Sequence, residues 1–403
     1  MGLVVQKFGG SSVKDAQSLK RVTARIIREY DSGNNVIVVV SAQGDTTDDL
    51  IEKAHEITPN PTDRDLDFLM TTGEQISAAL LAMEIRSQGR KAVPLTGWQA
   101  GFLTSSTHGK ARIRRIRKDR LLNELDKGNI IIVTGFQGVN RYDDITTLGR
   151  GGSDTSAVAI AARLGADKCQ IFTDVDGIYT ADPRIVSDAH LLKSISYDEM
   201  LELASLGANV LHNRAVEMAK KYNVTLEILS SINDKPGTKV EEVATVEKML
   251  INGVTKDDDI MRITVTELTD RPGVAFRLFS VLAQNKINID IILQSLGRDG
   301  KKDITFTVNH SDGPKAIEVI EANKAVIGCE KVLWEDTISK VSVVGAGMES
   351  NPGIAARVFE ALSDANINIH MIATSEIKIS VLVDKEYSAD AVRAIHREFN
   401  DVI

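Results

Sequence analysis

The C-terminal part of the chain contains an internal repeat, and this repeat restricts the possible folds more than any other feature of the sequence. Residues 270–275 (DRPGVA) are matched by residues 350–355 (SNPGIA), and fourteen residues after each glycine stands the triplet INI. Each copy reads as strand, Pro-Gly turn, amphipathic helix, strand, strand and helix. This order predicts two ferredoxin-like βαββαβ units, with proline presetting φ and glycine allowing close backbone approach at the helix start.

Before the repeat, apolar runs alternate with helical patterns, which is typical of an α/β domain. Runs this apolar fit strands that are buried on both faces of a parallel sheet. The strand-like runs lie at residues 3–5, 36–40, 130–133 and 169–173, and the helical patterns lie at 19–30, 74–88 and 155–164. A dense turn signal, NDKPGT at residues 233–238, marks the end of this region.

These patterns predict several domains, since 403 residues are too many for one ordinary core. The predicted α/β domain covers residues 1–232 and a linker covers 233–258. The two repeat units cover residues 259–335 and 336–403, and the second unit is either separate from the first or intertwined with it.

The composition excludes several classes of protein. The formal net charge is -8, which disfavours a nucleic-acid partner. Cys169 and Cys329 stand far apart without CxxC or neighbouring histidines, so neither a disulfide framework nor a zinc site is expected. No secretory signal and no apolar run of about 18 residues is present. We therefore expect a soluble cytoplasmic protein that holds no metal of its own.

The segment KFGGSS at residues 7–12 follows the first strand and precedes a helical pattern. Its glycines favour an anion-binding turn in which backbone N–H groups and the helix dipole face a phosphate. Lys7 at the strand end is suited to neutralise a transferring phosphoryl group. The same residues also fit a plain tight turn between strand and helix. Neither a Walker A motif nor GxGxxG is present.

A second glycine-rich turn, GRGGSDT at residues 149–155, also precedes a helix. Arg150 suits bidentate binding of a carboxylate. Asp154 either orients catalytic groups or caps the helix that follows it. Glu74 begins a helical pattern, where it is either a favourable first-turn acid or the partner of a substrate ammonium group.

Two further segments carry charge. The loop TDVDGIYTADPR at residues 173–184 follows a strand, at the position where open α/β sheets bind ligands. The basic run at residues 110–120 is interpreted mainly as a solvated face, with nucleotide contact as the alternative. The seven histidines show no metal-ligand spacing, and no Ser/His/Asp or Cys/His set indicates covalent hydrolysis.

Taken in order along the chain, these motifs resemble those of the aspartate kinases. The resemblance also includes VVSA at residues 39–42, TGE at 72–74 and GFQG at 135–138, and it extends to the paired ACT domains of that family in the C-terminal repeat. It implies a three-layer αβα amino acid kinase domain followed by two ACT units, in a monofunctional enzyme. The implied reaction is ATP-dependent phosphorylation of the aspartate β-carboxylate, with Mg²⁺ on the nucleotide, as the first step of lysine, threonine and methionine biosynthesis.

The resemblance also implies roles for individual residues. Lys7 and Asp154 would be catalytic, with Lys7 at the phosphoryl group and Asp154 organising Lys7. The implied aspartate-binding residues are Ser41, Thr47, Glu74, Arg150, Gly151, Gly152 and Ser153. The implied ATP-binding residues are Lys7, Phe8, Gly9, Gly10, Ser11, Thr173, Asp174, Tyr179, Asp182, Arg184 and Asn209. Asn209 departs from the family, which often has lysine there, so Arg214 and Lys220 are candidate substitutes for its charge.

The ACT pair implies feedback control by lysine, threonine or both, and at least a homodimer formed through these domains. The implied effector residues are Asp270, Gly273, Ala275, Asn288, Ile289, Asp290, Gln294, Met348, Asn366, Ile367, Asn368, Ser375 and Glu376. Two other functions remain as alternatives. One is a kinase of the same fold for another acid, such as N-acetylglutamate, and the other is an inactive sensor that only binds an amino acid.

Overall fold

The computed structural model describes residues 2–206, 210–242, 251–295, 297, 299–348 and 351–400. The chain forms two compact units. The first contains residues 1–179 and 190–246, and the second contains residues 180–189 and 247–403. None of the described helices has both the length and the apolar character that are needed to cross a lipid bilayer.

The first unit alternates strands and helices, as the apolar runs predict. In chain order its elements are β1 (Leu3–Phe8), α1 (Ala16–Asp31), β2 (Asn35–Val40), α2 (Thr46–Ile57), α3 (Asp63–Ser87), β3 (Ala92–Leu95), β4 (Phe102–Thr104), β5 (Ile113–Ile116), α4 (Asp119–Asp126), β6 (Ile130–Thr134), β7 (Gln137–Val139), β8 (Ile145–Thr147), α5 (Gly152–Leu164), β9 (Lys168–Thr173), β10 (Ser194–Ser196), α6 (Tyr197–Ser205), α7 (Asn213–Tyr222), β11 (Leu226–Ser230) and β12 (Thr238–Glu241).

The main sheet of this unit has eight strands in the order β10-β12-β11-β9-β1-β2-β6-β3. Its pairs are parallel except β11 with β12. Side chains alternate between the faces of β2: Val36, Val38 and Val40 pack in a buried cluster with α1 and α3. Ile37 and Val39 are buried on the opposite face, and α5 packs on this strand. Helices thus cover both faces, which confirms the three-layer αβα architecture.

Two elements differ from the sequence prediction in this unit. Helix α3 begins at Asp63, where the Thr62 side chain accepts a hydrogen bond from Asp65 N, so it starts eleven residues before Glu74. Strand β12 lies inside the segment predicted as a linker and pairs with β11. A second, four-stranded sheet in the order β5-β4-β7-β8 has no counterpart in the sequence prediction, because its strands are only three or four residues long.

The second unit contains the repeat. In chain order its elements are β13 (Gly253–Asp257), β14 (Ile260–Thr269), α8 (Val274–Gln284), β15 (Ile292–Gln294), β16 (Lys301–Asn309), α9 (Gly313–Ala322), α10 (Lys324–Ile327), β17 (Lys331–Glu335), β18 (Ile338–Val344), α11 (Ile354–Asp364), β19 (Met371–Ser375), β20 (Lys378–Asp384) and α12 (Ser388–Glu398).

Each repeat copy builds a four-stranded sheet, in the orders β15-β16-β14-β17 and β13-β18-β20-β19. The first copy supplies all its strands from its own segment. The second copy takes β13, which precedes the first copy in sequence, in the place that β17 has in the first sheet. The sheet of the second copy is therefore completed by a strand that lies before the first copy in sequence, and residues 253–257 of the predicted linker are part of a sheet.

The glycine of each Pro-Gly turn is the N-cap of a helix, with φ of 91° at Gly273 and 100° at Gly353. A Cβ atom on either residue would meet no described atom within 4 Å. Neither glycine therefore makes the close backbone approach to a described residue that the sequence explanation would require. The positive φ explains the glycine at both positions.

The segment at residues 180–189 comes from the middle of the first unit's sequence but packs inside the second unit. Val254 N donates to Thr180 O at 2.8 Å, and Thr180 Oγ1 lies 2.9 Å from Nε2 of buried His396. Ala181 and Val186 belong to the apolar core of the second repeat copy. No periodic apolar pattern in residues 180–189 predicts that they pack in the second unit, because the segment is short and carries several polar residues.

Candidate active site

The amino group of Lys7 and the carboxylate of Asp154 form an ion pair, with Nζ 2.7 Å from Oδ1. Lys7 stands near the end of β1, in register with Val39 of β2 and Ile171 of β9. The side chains of Lys7 and Asp154 are 13% and 10% exposed, so the ion pair borders on solvent. The N-cap of α5 is Gly151 rather than Asp154, so the capping alternative for Asp154 is wrong.

The glycine turn after β1 is one 3₁₀ turn, Gly10–Ser12. A Cβ on Gly10 would lie 2.7 Å from Ala42 O, so only glycine lets this turn pack on the loop that follows β2. A Cβ on Gly9 would lie 3.5 Å from Lys7 Nζ, which places Gly9 next to the ion pair. Helix α1 begins later, at Ala16 with Asp15 as its N-cap, so the turn is not the helix start that the sequence suggested.

Glu74 lies within α3 and is 3% exposed. Its Oε1 accepts a hydrogen bond from Ala42 N at 3.1 Å, whereas Oε2 has no hydrogen-bond partner among the residues that the structure describes. Burial raises the pKa of this carboxyl group to about 7. Because α3 has Asp63 and Asp65 in its first turn, the alternative that Glu74 is a first-turn acid is wrong.

The second glycine turn packs tightly against its neighbours. Gly151 has φ of 64°, and a Cβ there would lie 2.2 Å from the His212 side chain. The His212 Nδ1 atom accepts a hydrogen bond from Arg214 N at 3.3 Å, and burial lowers the pKa of this imidazole. A Cβ on Gly135 would lie 2.6 Å from Ser153 Oγ, which brings the GFQG segment against this turn.

Three other predicted aspartate-binding residues lie on the turns and helix starts of this unit. Arg150 is exposed at the tip of the second glycine turn. Ser41 N donates to Phe8 O at 3.1 Å, so Ser41 follows β2 directly beside the first glycine turn. Thr47 is half-buried in the first turn of α2.

Arg214 and Lys220, the candidate substitutes for the missing lysine at position 209, are both bound elsewhere. The Arg214 guanidinium donates to Leu148 O at 2.5 Å and to Ala111 O at 3.0 Å. Lys220 pairs with Asp198 at 2.5 Å on the surface. Arg214 thus supports the backbone that leads into the second glycine turn, and neither cation is free to replace a lysine at the nucleotide. Asn209 lies outside the described residues.

The end of β9 and the loop after it carry three further predicted nucleotide-binding residues, Thr173, Asp174 and Tyr179. Thr173 Oγ1 donates to Asp174 Oδ1 at 3.1 Å, and Tyr179 OH donates to Asp176 at 3.2 Å. Asp176 also accepts from Asn233 and Lys235, each at 2.6 Å. Lys235 lowers the pKa of Asp176, so this carboxylate is ionised and holds the two loops together.

Other residues predicted to bind ATP have different surroundings. The Phe8 ring is fully buried and stacks on Phe172 with ring centroids 4.6 Å apart, so its side chain is a core residue. Asp182 and Arg184 belong to the second unit, where they pair with each other at 2.6 Å.

Comparison with known proteins explains this arrangement. The amino acid kinase family model matches residues 2–230, and the ACT domain model matches residues 264–323 and 341–399. An aspartokinase from Mycolicibacterium smegmatis is 51% identical over 99% of this chain and 96% of its own length. The chain belongs to the aspartokinases. It is therefore a kinase, and the resemblance recognised in the sequence is confirmed.

Solved aspartokinase structures support the fold. The structure of Escherichia coli aspartokinase III in complex with aspartate and ADP, described as the R-state, is 25% identical, covers 98% of this chain and 99% of that chain, and has a TM-score of 0.84. The T-state structure of the same aspartokinase, in complex with lysine and aspartate, has the same identity and coverage and a TM-score of 0.76.

The effector residues expected for an aspartokinase lie in the second unit, mostly on the surface. Those exposed are Asp270, Gly273, Asn288, Asp290, Gln294, Asn366, Asn368, Ser375 and Glu376, and those partly buried are Ala275, Ile289 and Met348. Ile367 is 6% exposed and packs in the core of the second ACT copy, so its side chain is a core residue. Asp290 forms an ion pair with Lys340, which is 3% exposed in β18.

Sequence reasoning missed several residues of the site. His212, Asp176 and Lys235 support predicted residues through contacts that depend on the fold. Arg214 was considered only as a substitute for a lysine, and its support of Leu148 and Ala111 was not foreseen. For Lys235 a signal was present, because the NDKPGT turn is rich in side-chain donors and acceptors, but it was interpreted only as a domain end. Gln137 is also missed, although it belongs to the GFQG motif and is fully buried.

Proposed function

We propose that this aspartokinase phosphorylates the β-carboxylate of L-aspartate with ATP and so catalyses the first step of lysine, threonine and methionine biosynthesis. The observation that carries the proposal is Glu74, a buried carboxylate with one oxygen unpaired among the described residues. A buried charge needs a partner, and the free ammonium group of an amino acid supplies one. The E. coli relative that binds aspartate and ADP supports the same choice of substrates.

The chemistry requires little from the protein beyond position and charge. The aspartate β-carboxylate is ionised at neutral pH and needs no general base. One of its oxygens attacks the γ-phosphorus, the bond from phosphorus to the β,γ-bridging oxygen breaks, and ADP leaves with the electron pair. The ammonium group of Lys7 compensates charge on the transferring phosphoryl group, and Asp154 holds that ammonium group in place.

The remaining residues of the site have supporting roles in this proposal. Arg150 binds the α-carboxylate and Glu74 the α-ammonium group, with Ser41, Thr47 and Ser153 lining the same site. The backbone of residues 9–11 faces the phosphates, and Thr173, Asp174 and Tyr179 bind the nucleoside part. Mg²⁺ would enter with ATP as part of the substrate and would compensate charge on its phosphates.

Regulation and assembly complete the proposal. The ACT copies bind lysine, threonine or both, and they join at least two chains in the cytoplasm. The lysine complex of the E. coli relative supports an amino-acid effector. The exposed effector residues of the second unit are accessible for such a ligand.

A hydroxamate assay with MgATP and L-aspartate tests the function directly. Hydroxylamine traps the acyl phosphate, so aspartyl hydroxamate, detected as its coloured iron(III) complex, is expected with L-aspartate and no hydroxamate with N-acetylglutamate. Product with N-acetylglutamate alone refutes the substrate in favour of the other acid kinase. Binding of an effector without product from any acid supports the inactive sensor.

A further inference from the structure

Among the buried polar atoms of the first unit without a hydrogen-bond partner in the described residues, three lie on or next to α3, and the roles above use only one of them, Glu74 Oε2. They are Glu74 Oε2, Thr134 Oγ1 and Gln137 Oε1. Their residues are 3%, 2% and 0% exposed. Since buried polar atoms are seldom left unpaired in proteins, three of them in one region indicate a ligand.

The contacts of Gln137 fix the direction of its amide group. Its Nε2 donates to Thr71 O of α3 at 3.1 Å. A carbonyl oxygen accepts only from the NH₂ side of the amide, so Oε1 is the atom left without a partner. Thr71 and Glu74 are three residues apart on one helix, and both are buried. Residues at this spacing lie on the same helix face. The Gln137 amide therefore lies beside the face of α3 that carries Glu74.

Thr134 faces the same helix from the sheet. Thr134 is the last residue of β6 and pairs with Val40 of β2. Val40 is two residues before Ala42, whose N–H donates to Glu74. Side chains alternate along a strand, and Ile130 and Ile132 of β6 pack in the cluster that contains Ala78 and Leu81 of α3. Thr134 therefore directs its hydroxyl toward α3, on the face of the sheet that Glu74 covers.

We propose that Glu74, Thr134 and Gln137 together bind the primary ammonium group of the substrate, with one acceptor for each of its three N–H donors. This deepens the proposed function and rests on it, because it requires an amino acid as the phosphoryl acceptor. Glu74 supplies the charge. Thr134 and Gln137 complete the hydrogen bonds, so they are specificity-determining residues for the free amino group.

The match in number and chemistry carries the assignment. A primary ammonium group has three donors and no acceptor. Three acceptors around it satisfy every hydrogen bond that it loses on leaving water, which a single carboxylate cannot do. An N-acylated amino acid has only one N–H donor and no positive charge on that nitrogen. A dicarboxylic acid without the amino group has no N–H donor and no positive charge at all. Both analogues leave acceptors unpaired, which makes their binding unfavourable.

Thr134→Val is the sharpest test, because it removes the unpaired hydroxyl while keeping the shape and breaks no hydrogen bond seen between described residues. Calorimetric binding of L-aspartate and of succinate, which lacks the ammonium group, is measured on the full chain. A hydrogen bond to a charged group is worth about 1.5–3 kcal/mol, so the affinity for aspartate should fall about 10- to 100-fold. The affinity for succinate should change less than about twofold.

Two further variants separate this role from a general effect on structure. Gln137→Met keeps the length and removes the acceptor, and it should lower the aspartate-to-succinate affinity ratio in the same way. Thr23→Val is the matched control, because Thr23 Oγ1 is also buried without a described partner but lies in α1. Its affinity ratio should equal that of the unaltered protein.

The outcomes distinguish the inference from the proposed function. Equal weakening of both ligands in Thr134→Val and Gln137→Met, or no change in either variant, overturns the ammonium assignment even when the enzyme phosphorylates aspartate. If the unaltered enzyme phosphorylates a different amino acid, the choice of aspartate fails. The same ratio is then measured with that amino acid and its analogue without the amino group, and it decides the assignment.

Discussion

At the scale of single residues, the pair of Lys7 and Asp154 sets the position of the positive charge in the proposed site. The two groups lie on different elements, β1 and α5, and meet at 2.7 Å. A lysine side chain alone samples many rotamers. The carboxylate removes most of this freedom before ATP binds, and such preorganisation is a principal source of catalysis in phosphoryl transfer.

Replacement of Lys7 by alanine should therefore lower kcat about 100- to 1000-fold, the usual cost of losing one preorganised group. Effector binding should persist, because Lys7 belongs to the first unit and the expected effector residues belong to the second. Steady-state hydroxamate formation and calorimetric effector titration measure the two effects. Unchanged turnover in Lys7→Ala contradicts the catalytic role.

The Glu74 carboxyl group gives a pH dependence to aspartate binding. Burial raises its pKa to about 7, well above the ordinary value for a glutamate carboxyl group. Below this pKa the free enzyme holds a proton on Glu74, and an ammonium ligand must displace that proton to form an ion pair. The value of kcat/KM for aspartate should therefore fall about tenfold for each pH unit below 7 and level off above it.

Glu74→Gln is the control for this prediction. The amide keeps the shape of the side chain but does not titrate, so kcat/KM should be low and nearly independent of pH between about 5 and 7, above the pKa range of the aspartate carboxyl groups. A profile of the same shape in Glu74→Gln and the unaltered enzyme assigns the titration to another group.

At the scale of elements, the two glycines that bracket α5 provide a matched pair. Gly151 and Gly165 both have φ of 64°, but a Cβ on Gly151 meets His212 at 2.2 Å and a Cβ on Gly165 meets nothing within 4 Å. Alanine at either position costs about 1–2 kcal/mol for the left-handed backbone. Only Gly151→Ala must also displace His212 and the turn that carries Arg150.

We therefore expect both alanine variants to lose similar backbone stability, while only Gly151→Ala loses at least tenfold in kcat/KM for aspartate. Urea denaturation and steady-state kinetics of the two purified variants make the comparison. Equal kinetics in both variants would show that the contact of Gly151 with His212 has no influence on the site.

The elements also show how far the sequence could predict this molecule. The local sequence pattern predicts strands β1, β2, β6 and β9 and the two ACT copies, since apolar runs and an internal repeat can be recognised without knowing the pairing partner. The start of α3 was misplaced because Gly73 resembles a helix boundary, whereas it is buried within the helix with Ala42 Cβ 2.8 Å from the position its own Cβ would take. The place of β13 in the second ACT sheet depends on its pairing with β18, which is distant in sequence, so no local pattern predicts it.

The site divides in the same way. Lys7, Glu74, Arg150 and Asp154 could be proposed as site residues because their motifs are short and carry their own chemistry. The supporting contacts of Arg214, Lys235 and Gln137 link segments that are far apart in sequence, so they required the fold. Phe8 was assigned to the nucleotide by its motif alone, and the structure shows that the side chain fills the core.

At the scale of the whole molecule, the second unit contains a buried charge that connects the ACT copies. Lys340 lies in β18 of the second copy and is 3% exposed, and it pairs with Asp290 of the first copy and lies 3.6 Å from Asp257. Removing one partner of a buried charge leaves that charge poorly compensated, which is far more costly than losing a surface pair. Asp290 is also one of the expected effector residues, so we expect this carboxylate to contribute both to the packing of the unit and to effector binding.

Asp290→Asn should consequently lower the urea midpoint of the second unit and weaken inhibition by lysine or threonine, while kcat without effector stays within about twofold, since Asp290 lies outside the first unit. Asp390→Asn, which breaks the exposed pair with Arg393, is the control and should change stability by less than about 1 kcal/mol. Effector titration of both variants at fixed aspartate and ATP measures the regulatory effect. Normal inhibition in a destabilised Asp290→Asn enzyme would assign Asp290 to packing alone and locate effector recognition at other residues of the ACT pair.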